Sequence, residues 1–109
     1  MPVTQEEVQK WSRHFYKSLK AGKPVMECLD TATQQQNNED FTKVLNEVRE
    51  IVARGYPLSK IMALHPHVFD ETYVTIIRYG EIFGEVDLVL ERYVEHPEEM
   101  FKPCRPKPT

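Results

Sequence analysis

The sequence predicts an all-α fold, an up-and-down bundle of about six short antiparallel helices, and three observations carry that prediction. Apolar residues recur at steps of three and four over most of the chain, which is the period of a helix with one buried face. Prolines fall at 2, 24, 57, 66, 97, 103, 106 and 108, so they cut the interval from 3 to 96 into helix-length pieces. No segment shows the strict alternation or the β-branched clustering that marks a strand.

Taken in order, Val8, Trp11, Phe15 and Leu19 advance by three, four and four and define a first helix from about Thr4 to Ala21. A second runs from about Pro24 to Gln35 with Val25, Leu29 and Ala32 inward, and fades into an amide-rich turn at Gln34 to Asn38. The third starts near Asn38 and places Phe41, Val44, Leu45, Val48, Ile51 and Val52 on one face. Acids crowd its start and Arg54 its end, as the helix dipole favours. A short fourth helix follows Pro57 with Leu58, Ile61 and Met62, and stops before His65-Pro66. Asp70 caps a fifth, which buries Tyr73, Val74 and Ile77. Gly80 and Gly84 then bracket a corner, and a sixth helix from about Gly84 to Glu95 uses Val86, Val89, Leu90, Tyr93 and Val94.

Two joints look alike, Ala21-Gly22-Lys23-Pro24-Val25 and Arg54-Gly55-Tyr56-Pro57-Leu58. In each, glycine can close one helix in the left-handed conformation, and the proline after one intervening residue suits the first turn of the next. The expected domain organisation is a helical unit over 1–96 and a Pro-rich, extended or disordered tail over 97–109.

With 109 residues, 14 basic and 17 acidic side chains and a formal net charge of −3, the chain reads as one small globular domain. The tail holds three bases and two acids, leaving 11 bases and 15 acids on the rest, a balance that argues against a nucleic-acid surface. The longest apolar run, Ile61 to Leu64, falls far short of the roughly 20 residues that span a bilayer. The start, Met-Pro-Val-Thr-Gln-Glu-Glu, lacks the basic and apolar stretches of a secretory signal. The two cysteines, Cys28 and Cys104, fit a reduced cytosolic setting.

Few residues invite chemistry. His65 and His67 flank Pro66 without the four-ligand set of a structural zinc site, and His14 beside the first apolar stripe reads as structural. Neither a Gly-x-Ser-x-Gly turn nor a phosphate-cradling loop occurs. The acidic group Glu81, Glu85 and Asp87 at the fifth corner has the oxygens to hold calcium or magnesium, and equally suits a solvated, dipole-favoured helix start. Glu81 is the candidate metal ligand, though no cofactor is required. Tyr16, offset from the Trp11 and Phe15 stripe, is the candidate for partner contact.

The ordered stretches Phe15 to Val25, Arg54 to Ser59, His65 to Phe69, Tyr73-Val74 and Gly80-Glu81-Ile82-Phe83-Gly84-Glu85-Val86 resemble the cytoplasmic F domain of the inner-membrane platform protein of bacterial type II secretion and type IV pilus machines. The resemblance covers roughly residues 11–94. The family's Gly-Glu-x-Ser/Thr-Gly-x-Leu corner falls on Gly80, Glu81, Gly84 and Val86, with Phe83 in place of the small hydroxyl residue. Its Gly-x-Pro joint falls on Gly22 and Pro24, and again on Gly55 and Pro57. The resemblance implies a six-helix bundle with no catalytic activity, a scaffold between the cytoplasmic assembly ATPase and the other inner-membrane platform components. It also implies self-pairing and, in some members, a divalent ion near the acidic corner. The expected location is the cytoplasm, peripheral to the inner face of the inner membrane. A free-standing soluble regulator or decoy of the machine, and a small divalent-metal-dependent enzyme built on Glu81, Glu85 and Asp87, are the alternatives.

Overall fold

The structure, a computed structural model, describes residues 2–96, so the expected tail over 97–109 lies outside the described residues. Six helices follow one another: α1 Gln5–Lys20, α2 Val25–Gln34, α3 Glu39–Ala53, α4 Leu58–Met62, α5 Glu71–Phe83 and α6 Val86–Glu95. No strand occurs among the described residues. The fold is the all-α bundle that the periodicity predicts.

Local chemistry sets the helix ends. The Thr4 hydroxyl accepts from the Glu7 N–H at 3.1 Å and the Glu7 carboxylate accepts from the Thr4 N–H at 2.9 Å, a reciprocal box that satisfies two otherwise unpaired donors. Asn38 Oδ1 accepts from the N–H groups of Asp40 and Phe41 to open α3, and Asp70 Oδ1 accepts from that of Tyr73 to open α5. At the two look-alike joints Gly22 and Gly55 have φ of +86° and +96°, the left-handed region that a Cβ disfavours. The prolines sit one step earlier than the sequence suggests. Pro24 and Pro57 are N-caps with ψ of 149°, outside the first turn. A proline there still supplies its carbonyl, which accepts from the Cys28 N–H after Pro24 and from the Lys60 N–H after Pro57.

Each helix packs on the next in sequence, and α6 returns to α1, so the six close into a ring around one core. Aromatic rings fill its centre. Trp11 stacks on Phe15 with centroids 4.9 Å apart and meets Phe41 and Phe69 at 6.2 and 6.3 Å. Phe69 then meets Tyr73 at 5.2 Å, and Tyr73 meets Tyr93 edge-on at 5.0 Å. All six rings are essentially buried.

One buried polar contact ties this chain of rings together. The Ser12 hydroxyl donates to the Val8 carbonyl at 2.7 Å, so its remaining contact, 2.6 Å to the Tyr73 hydroxyl, is donated by the tyrosine. Burial pushes the Tyr73 phenol up from its ordinary range.

The inward arc of α2 differs from the expected one. Val25 is 43% exposed, while Cys28 is fully buried and donates its thiol hydrogen to the Lys23 carbonyl. The arc centres on Cys28, Leu29 and Ala32, and Val25 is the first residue of the helix, at its open end.

Candidate functional site

The corner between α5 and α6 is built on a close backbone approach. Gly80 lies inside α5, three residues before its end, and does not belong to the turn. A Cβ added there would stand 2.8 Å from Val86 Cα, 3.0 Å from Val86 N and 2.9 Å from Val89 Cγ2, so only glycine lets α6 cross at this distance. The Gly80 carbonyl accepts from the N–H groups of Gly84 and Glu85, the latter at 2.7 Å, and Gly84 turns the chain with φ of +68°.

Glu81, one residue on, reaches across to α4. Its Oε2 accepts from the Ser59 N–H at 2.9 Å and its Oε1 accepts from the Ser59 hydroxyl at 2.6 Å. α4 needs this help, because Pro57 at its N-cap offers no side-chain oxygen to the free N–H groups of the first turn. A carboxylate from another helix fills that role and also suits the positive end of the short helix. Glu81 thus fastens α5 to α4 while Gly80 fastens α5 to α6.

Among the described residues no three His, Cys, Asp or Glu side chains come together as a metal-holding group, so Glu81, Glu85 and Asp87 do not converge. His65 and His67 face each other edge-on at 6.3 Å. His65 Nε2 lies 3.7 Å from a Glu47 carboxylate oxygen, which places both in a polar loop beside α3. His14 is exposed on α1.

Tyr16 is not on the surface, where the sequence reading puts it. It is 4% exposed, because α6 packs along α1 on the side next to the Trp11 stripe and covers it. Its hydroxyl donates to Glu95 Oε2 at 2.5 Å, and burial together with that carboxylate pushes the phenol up to about 12. Glu95 in turn is held below the ordinary carboxylate range by this hydrogen bond and by Arg13, whose Nε donates to the same oxygen at 3.2 Å.

Two features escape the sequence reading. Ser59 stands in the second joint motif, but nothing in its spacing says that residue 81 will be its partner. The other is an apolar surface at the corner: Tyr79, Ile82 and Phe83 on α5 and Leu88 on α6 are 53, 70, 59 and 48% exposed. The rings of Tyr79 and Phe83 lie against each other with centroids 4.7 Å apart. Beside them an open groove of about 350 Å³ is lined by Tyr79, Leu88 and Val89 and by the charged or polar Glu85, Glu91, Arg92 and His96. The signal was present, since 79, 82 and 83 follow helical spacing on the arc away from Tyr73, Val74 and Ile77.

Residues 11–102 match the family described as type II secretion system (T2SS), protein F. This chain belongs to the type II secretion protein F family. It is 33% identical over 97 residues to the type IV pilus assembly protein PilC of Myxococcus xanthus, covering 89% of this chain and 23% of that one. It is 34% identical over 91 residues to the type II secretion system protein F of Vibrio cholerae, covering 84% and 22%, and 32% identical over 89 residues to PilC of Thermus thermophilus, covering 82% and 22%. The chain therefore spans less than a quarter of the length of these protein F relatives. No helix among its described residues is long and apolar enough to cross a membrane.

Proposed function

We propose that this protein F domain is a non-enzymatic scaffold of a type II secretion or type IV pilus assembly platform, located at the cytoplasmic face of the inner membrane. In this reading it binds the cytoplasmic assembly ATPase and neighbouring platform components through exposed helix faces. Its partners are proteins, a second copy of the domain among them, and not nucleic acid. The observation that carries the reading is the family match over residues 11–102, together with relatives named for pilus assembly and type II secretion. The use of Glu81 agrees with it, because the most distinctive carboxylate of the corner is spent on tying α4 to α5. The scaffold requires no cofactor, and a calcium or magnesium ion at Glu81 would have to share its oxygens with Ser59.

The test is a tagged pull-down from the native cell, read by mass spectrometry. Enrichment of an assembly ATPase and its membrane neighbours is the expected result. Recovery of none of them would overturn the reading while leaving family and fold untouched.

A further inference from the structure

We infer that the apolar corner of Tyr79, Ile82, Phe83 and Leu88 is a docking surface for an amphipathic helix of another protein, with lysine or arginine flanking its apolar side chains at the end that meets Glu85 and Asp87. The surface is apolar and held in place. Its four side chains are each about half to two-thirds exposed, and two are paired rings on a helix anchored on both sides, by Gly80 against α6 and by Glu81 against α4. A pre-arranged surface of this kind loses little freedom when a partner settles on it.

Size and charge select the occupant. Four such side chains at these exposures present on the order of 400–500 Å² of apolar area, the size of the largest patch on a typical monomer, which is often a functional one. That is about half of what one partner contributes to a standard stable interface. It fits the three or four anchors of a single helix laid in a groove, and the open groove beside Leu88 and Val89 gives such a helix its bed. Glu85 and Asp87 precede Leu88 by three residues and one, and neither carboxylate has an ionic partner among the described residues. A basic flank on the incoming helix would pair them. Arg92, one turn after Leu88 on α6, also lines the groove, beside Glu91, whose carboxylate is paired with Lys20.

The same carboxylates weigh against the other occupants. Two copies joined by a two-fold axis through this patch would bring Glu85 and Asp87 of one near those of the other. An anionic bilayer would meet acid, and not the lysines and arginines of a membrane-binding face.

The inference rests on the scaffold reading for its biological setting, but a defined peptide tests it alone. The probe is a synthetic 18-residue helix with leucines at i, i+3, i+4 and i+7 and lysines at one end, titrated into the ¹⁵N-labelled full chain. A matched peptide carrying glutamates in place of the lysines is the control. The expected result is amide shifts confined to residues 78–92, with affinity at least tenfold lower for the glutamate peptide and for the double variant Ile82→Ser, Phe83→Ser. Leu88→Ser is the substitute if the double variant does not fold. Equal binding of both peptides, or shifts centred elsewhere, would overturn it. So would concentration-dependent broadening of these amides without peptide, which makes a second copy the occupant, or binding to phosphatidylglycerol vesicles that Ile82→Ser, Phe83→Ser abolishes. Capture of an assembly ATPase by that double variant as well as by the wild type sinks the surface and leaves the scaffold standing. Lysine-peptide binding without any machine component in the pull-down does the reverse.

Discussion

Tyr16 in α1 and Glu95 at the end of α6 share a hydrogen bond of 2.5 Å, and the oxygen that accepts it also accepts from Arg13, one turn earlier on α1. A neutral donor and a cation thus converge on one carboxylate at the seam between the first and last helices. The phenol stays protonated up to about 12 because ionising it would bury a charge and set it against Glu95.

The sign of the pH dependence follows. Tyr16 has a folded-state value above its unfolded one of about 10, so its contribution is complete below pH 10 and is lost as pH rises toward 12. Glu95 has a lowered value, so its contribution is present above the unfolded carboxylate range and is lost as pH falls through the folded value. Tyr16→Phe should lower stability by about 1 kcal/mol at pH 7, a modest figure because the Glu95 side chain is 36% exposed. It should also flatten the alkaline limb of a stability profile. Thermal melts from pH 7 to 12 check both, and an unchanged alkaline limb would disprove the coupling.

Gly80→Ala should destabilise the chain by about 1–3 kcal/mol, although alanine is the better helix former, because the new methyl meets the backbone of Val86 at 2.8 Å. Urea unfolding measures this. A stabilised variant would mean that α6 can move off α5 freely.

Glu81→Ala should cost about 1–3 kcal/mol and Ser59→Ala less, because alanine keeps the backbone N–H that donates to Glu81 Oε2 and loses only the hydroxyl bond to Oε1; the double variant should cost little more than Glu81→Ala alone. Hydrogen exchange should speed up first at α4, residues 58–62. Additive losses with α4 still protected would show that Glu81 serves something other than this helix start.

Phe15→Ala and Val48→Ala should cost about 3–5 and 1–3 kcal/mol, as both side chains are fully buried. Phe15→Ala has a second readout. It removes the ring stacked on Trp11, the chain's single tryptophan, so the native fluorescence spectrum should change for this variant and stay closer to wild type for Val48→Ala.

All six helices were legible in the sequence because each carries its own period, and α1, α3 and α5 also carry a side-chain cap that is local in the chain. Thr4, Asn38 and Asp70 act within three residues of themselves. What was not legible is set by contacts between helices. Tyr16 looks peripheral on a drawing of α1 alone and is covered only because α6, some 79 residues later, lies across it. Ser59 and Glu81 are 22 residues apart and meet through the packing of α4 on α5. Gly80 reads as half of a turn because the sequence shows a glycine without showing which helix needs the space.

The ring closes with α6 against α1, and the bonds that seal it span great lengths of chain: Gln5 to Tyr93, Arg13 to Glu95 and Tyr16 to Glu95 join residues 79 to 88 positions apart. Every other helix pair of the ring meets its neighbour after a short loop, so the seam carries the longest loop closure in the domain. Assembly of the domain is therefore expected to run along the chain from neighbour to neighbour and to finish at this seam. A tension applied between the start of α1 and the end of α6 would load that last-made joint before any other.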